Sequence, residues 1–112
     1  MAVIDTIEHE LKAMLDRMHE QLERDGAIDS NDWRRTMDLA VAGHTVATDE
    51  AWKMKFSWQR DPVVARKLHE KARRFHQLQD LLRAAHTPER QEDLLRELRR
   101  PYSLEDHPAL NR

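Results

Sequence analysis

The stretch Leu39-Ala-Val-Ala-Gly-His-Thr-Val-Ala-Thr48, with the aromatic segment Trp52 to Trp58 behind it, carries more apolar surface than one helix face can hold. Placed at helical intervals of about 100° per residue, Val41, Thr45, Thr48, Trp52 and Phe56 fall on one stripe. A second stripe, about 120° away, collects Trp33, Met37, Ala40, His44, Ala47, Ala51, Met54 and Trp58. An ordinary surface helix buries one such arc. This helix is therefore central and covered on both sides, or one of its stripes is an interface.

The rest of the chain supplies the neighbours. Ile4, Ile7, Leu11, Met14 and Met18 alternate by three and four residues, with Leu15 and Leu22 widening the stripe, which predicts a first helix from Ala2 or Asp5 to Arg24. Gly26 is its stop. Asp29-Ser30-Asn31-Asp32 is a cluster of capping residues for the second helix. That helix runs to about Gln59, or breaks where Thr48-Asp49-Glu50 offers a further cap followed by first-turn acids.

Asp61-Pro62 opens a third helix, to about Ala85, with Val64, Leu68, Ala72, Phe75, Leu78 and Leu82 inward. Thr87-Pro88-Glu89 opens a short fourth one with an apolar edge of Leu94, Leu95 and Leu98, ending by Arg100. Residues 101–112 read as an irregular tail. With two glycines, four prolines and abundant Leu, Ala, Glu, Arg and Gln, the chain is expected to be all-α. Residues 1–100 form one domain of four to five helices, an antiparallel bundle completed by homodimerisation. The first-helix seam Ile4, Ile7, Leu11, Met14 and Met18 is the expected dimer face.

Several chemistries are excluded or disfavoured. There is no cysteine, which removes disulfides, zinc–thiolate sites and thiol nucleophiles. The acidic N-terminus does not resemble a signal peptide, and no segment approaches the apolar length of a membrane span. A cytoplasmic protein with no membrane contact is the expectation. His9-Glu10, His19-Glu20 and His69-Glu70 each lack the second histidine that a zinc-protease helix needs four residues on. Asp16-x-x-His19 is a single approach to the carboxylate-bridged metal motif, which requires two. His76 and Asp80 form one further pair. The histidines are read as surface groups, with no metal and no cofactor assigned; a His/carboxylate metal bundle is the outlying alternative.

His44 is different because it lies in an apolar stripe, where it is expected to be a core histidine satisfied by a neighbouring helix. Gly43, with Ala40 and Ala47, permits a close helix crossing. Two isolated glycines cannot build a phosphate loop, and no nucleophile elbow is present. The chain is not expected to be an enzyme.

Charge is unevenly spread about a net −2: residues 1–56 carry 7 basic and 12 acidic side chains, residues 57–112 carry 12 and 9. Arg66, Arg73 and Arg74 on the third helix are the residues of an alternative nucleic-acid-binding regulator, but the basic side chains there spread widely around the helix with Glu70 among them. Protein binding fits better. Three tryptophans with nearby methionines are the side chains of interface anchors. Trp33, Met37, Trp52, Met54, Phe56 and Trp58 are the expected partner-binding residues, with Lys53, Lys55 and Arg60 steering encounter. The expected role is a small bacterial-type regulator that binds another protein stoichiometrically and blocks it, as an anti-activator, adaptor or immunity-type inhibitor would; a transcriptional regulator is one such partner.

Overall fold

Helix α1, Val3–Asp25, forms because Ile4, Ile7, Leu11, Leu15 and Met18 recur at helical spacing, and all five are buried. It ends where Gly26 adopts φ 69°, the left-handed region open to a residue without Cβ. The Gly26 N–H still donates to the Leu22 carbonyl at 3.0 Å, closing the last turn. The protein is described here by a computed structural model covering residues 3–56 and 61–104.

Helix α2, Ser30–Phe56, is capped by Asp29, whose Oδ1 accepts from the backbone N–H groups of Asn31 at 2.7 Å and Asp32 at 3.3 Å. It passes through Thr48 without a break. The Thr48 hydroxyl donates back to the His44 carbonyl at 2.7 Å, a bond made inside a continuing helix, so it does not cap a new one. Helix α3, Pro62–Ala84, starts at the expected signal, with Asp61 Oδ1 accepting from Val63 and Val64 N–H at 3.0 and 3.2 Å. Helix α4, Pro88–Glu97, starts in the same way, with the Thr87 hydroxyl accepting from Arg90 N–H at 3.2 Å. Among the described residues every regular element is a helix, and none is long and apolar enough to cross a membrane.

Helix α2 packs against both α1 and α3, most extensively against α3, while α4 lies on α1 and α3. The buried line of α2 is Trp33, Thr36, Ala40, Gly43, Ala47 and Ala51, mostly small residues that let the neighbouring helices approach. Gly43 is the tightest point. A Cβ there would lie 2.5 Å from two carbons of the fully buried Phe75 ring. Glycine in a helix interior costs about 1 kcal/mol relative to alanine. Here it leaves room for an aromatic ring that no other residue would admit.

Three placements differ from the sequence expectation or extend it. At the start of α3 the buried position is Ala65, one residue on from Val64, which is exposed, and Leu68 is only partly covered. The core also extends past residue 100: Tyr102 and Leu104 are buried in it. Arg100 ties this segment to α1, its guanidinium reaching Glu20 at 2.7 Å, Asp16 at 3.7 Å and Glu23 at 3.9 Å. Residues 105–112 of the expected tail lie outside the described residues. Finally, Ile4, Ile7, Leu11 and Met18 are buried and Met14 is packed against the same core, so the seam expected to face a second copy is filled by the protomer's own helices.

Candidate docking surface

The two stripes of α2 meet opposite environments. On the second stripe Trp33, Ala40, Ala47 and Ala51 are buried, and Met37 is partly buried against the core. On the first stripe Val41, Trp52 and Phe56 stand in solvent; Trp52 is 58% exposed and Phe56 63%. Trp52 and Phe56 are one turn apart and their rings lie together, centroids 4.6 Å apart and planes tilted by 32°. The Lys55 ammonium sits 5.5 Å from the Phe56 ring centroid, where the ring face attracts a cation. The structure thus splits the expected partner-binding set. Trp33 belongs to the core, Trp52 and Phe56 stand outside it, and Trp58 and Arg60 lie outside the described residues.

Beside this aromatic ridge is a groove of about 640 Å³. Its floor and walls are Ile4 of α1, Val46 and Met54 of α2, and Val64 and Leu68 of α3. Thr45 and Asp49 line both this groove and a shallower depression bordered by Trp52, so ridge and groove share an edge. On α3 Ala65 takes the inward position, while exposed Val64 and half-buried Leu68 line the groove together with Met54. Polar groups at the rim are already engaged: Lys53 Nζ lies 3.6 Å from both Asp49 and Glu50. What remains is an open apolar trough with an aromatic edge, suited to burying nonpolar side chains.

The other expected sites are dispersed. Arg73 and Arg74 both approach Glu70, at 3.3 and 3.6 Å, and Arg74 is largely covered while Arg66 is exposed, so the three do not make one uncompensated basic face. His44 is half-buried, and its ring lies against that of His76 with centroids 5.0 Å apart. His76 Nδ1 is 3.5 Å from Asp80. Among the described residues no group of three or more histidines, aspartates and glutamates converges as a metal site would require. A second cleft, about 240 Å³ between α1, α3 and the segment after α4, is lined by Glu8, Lys12, Lys71 and Arg74, with Lys71 Nζ 2.8 Å from Glu8 and Arg74 3.6 Å from Glu70.

The groove was missed by the sequence reading because Val64 and Leu68 fit an inward stripe as well as they fit a wall. The one available signal was that Ala65 also continues the spacing to Ala72.

Compared with protein-family models, with curated proteins and with solved structures, the chain matches none of them. Its class is defined by its own fold: an all-α protein of four helices among the described residues.

Proposed function

We propose that this is a non-enzymatic regulatory protein that binds another protein stoichiometrically and blocks it, using the open end of α2 as its docking surface. One observation carries the reading: an exposed Trp52–Phe56 pair shares an edge with an apolar groove between three helices. Large aromatic side chains left in water beside such a groove lose hydration cost when covered, and tryptophan is the most enriched residue at binding hot spots. A partner helix laying apolar residues into the groove, against Met54 and Leu68, is the mode this shape fits. Inhibition follows sterically, since the covered surface is withheld from the partner's other contacts.

The helices are taken as an antiparallel bundle. Support comes from the α1–α2 pairings, with Gln21 meeting Asp32 near the connecting turn and Glu10 meeting Arg35 at 3.4 Å further from it. A homodimer built on this chain would use the same open end, because the α1 seam is already covered.

The test compares the wild-type chain with Trp52→Ala/Phe56→Ala for capture of a partner from the native organism, followed by titration of that partner. The expected result is at least about a tenfold loss of affinity with an unchanged melting temperature, as for anchors at an interface centre. Equal affinity for both chains removes the docking surface. Equilibrium sedimentation of the isolated chain measures self-pairing directly.

A further inference from the structure

We propose that the cleft between α1, α3 and the segment after α4 binds a phosphate group, carried by a free phosphate ion or a small phosphate monoester. Three cationic side chains from two helices line it, Lys12 of α1 and Lys71 and Arg74 of α3. Among the described residues that line it, Glu8 is the one carboxylate. Tyr102 and Ser103, from beyond α4, bring hydroxyl-bearing side chains to the same cleft. It shares no lining residue with the groove beside Trp52, so it stands apart from the docking surface.

The surplus of positive charge has a structural origin. Glu8 and Lys12 are one helical turn apart, a spacing at which a carboxylate and a lysine ordinarily pair with each other. Here Glu8 reaches across to α3 instead, meeting Lys71 Nζ at 2.8 Å, with Asp5 3.9 Å from the same ammonium. Lys12 is left exposed, with no carboxylate in ion-pair distance among the described residues. Arg74 stands across the cleft with its side chain only 18% exposed, where water and salt screen its charge less than they would at the open surface. Buried Leu11 adds an apolar patch to the lining.

The ligand chemistry follows from size and charge. A cleft of about 240 Å³ admits a compact group and little more, since pockets for larger organic ligands run to about 300–1,000 Å³. A phosphate group carries about −1.5 to −2 charges at neutral pH and three or more acceptor oxygens. It can therefore meet a guanidinium fork and two ammonium groups at once, whereas a lone carboxylate has two oxygens and one charge. Such a ligand would join α1, α3 and the last described segment, which Arg100 already ties to Glu20. Binding to that assembled form alone stabilises it by mass action.

The test titrates the full chain, labelled with ¹⁵N, with inorganic phosphate at about pH 7.5, where the dianion dominates. Chloride keeps the ionic strength constant, so general screening does not change. The expected result is a saturable shift of backbone amides confined to residues 8–12, 71–74 and 102–104, with Kd of about 1 mM or tighter. Lys12→Gln should bind about fivefold more weakly. Lys67→Gln removes an exposed lysine of α3 outside the cleft and should leave Kd unchanged. Lys12 has no ion-pair partner to orphan, and an unchanged spectrum away from the cleft verifies that the variant folds. Parallel titration with glycerol phosphate separates the two sources: tighter binding than inorganic phosphate points to a monoester, weaker binding to the free ion. A drift that does not saturate, shifts spread over other basic surfaces, equal affinity in wild type and Lys12→Gln, or equal weakening by both substitutions each overturns the site.

Discussion

Trp33 and Trp52 stand on the same helix, in stripes that the sequence makes equally apolar, and they end in opposite environments. Trp33 is 6% exposed and packs into the core beside the end of α1. Trp52 rests on Phe56 in solvent. The difference lies in the neighbours. Near Trp33, α1 and α2 are joined by a short turn and locked by the Arg17–Asp32 pair at 3.1 Å and by buried Thr36, whose hydroxyl donates to Met18 Sδ of α1 at 3.8 Å. Near Trp52, α1 contributes only its first turn, and α3 presents Val64 and Leu68 as one wall of a groove. The same amino acid on one helix is thus core or surface according to how completely two other helices reach it.

This contrast can be broken by substitution. The largest effect should come from Trp33→Ala, which empties a filled site and should lower unfolding free energy by about 3–5 kcal/mol in a denaturant titration; a loss below about 1 kcal/mol would put Trp33 at the surface. Next is Gly43→Ala, expected to cost about 1–3 kcal/mol because the new methyl meets the Phe75 ring. Adding Phe75→Leu to Gly43→Ala should cost less than the separate effects predict, and strict additivity of the two in a double-mutant cycle would mean the pair does not touch. Asp61→Ala removes the α3 cap and should cost about 1 kcal/mol, with the accompanying loosening of Val64 seen in its methyl relaxation. The smallest effect belongs to Trp52→Ala, within about 0.5 kcal/mol on stability.

Much of the helix pattern was legible from side-chain chemistry. Gly26, Asp29, Asp61-Pro62 and Thr87-Pro88 each act through local hydrogen bonds or local backbone freedom, so their positions mark helix ends with no knowledge of the fold. Continuity at Thr48 was not legible, because a threonine hydroxyl can cap a new helix or bond back into the old one with equal local chemistry. The site was half legible. Periodicity found both stripes of α2 but could not tell which one α1 and α3 would cover, and Trp33 and Trp52 exchange roles on that decision. Tyr102 and Leu104 escaped notice because a segment without period carries no pattern to read, although two apolar side chains are enough to seat it in a core.

What the chain determined by itself is where helices start and where α1 stops, since caps, breakers and apolar spacing act over a few residues. Only tertiary structure decided which faces are spent. The Phe75 ring in the Gly43 notch and the groove that Val64 and Leu68 wall together with Ile4 and Met54 both join residues distant in sequence. Their energies depend on where one helix lies against another to within a methyl's width, and no local pattern encodes that placement.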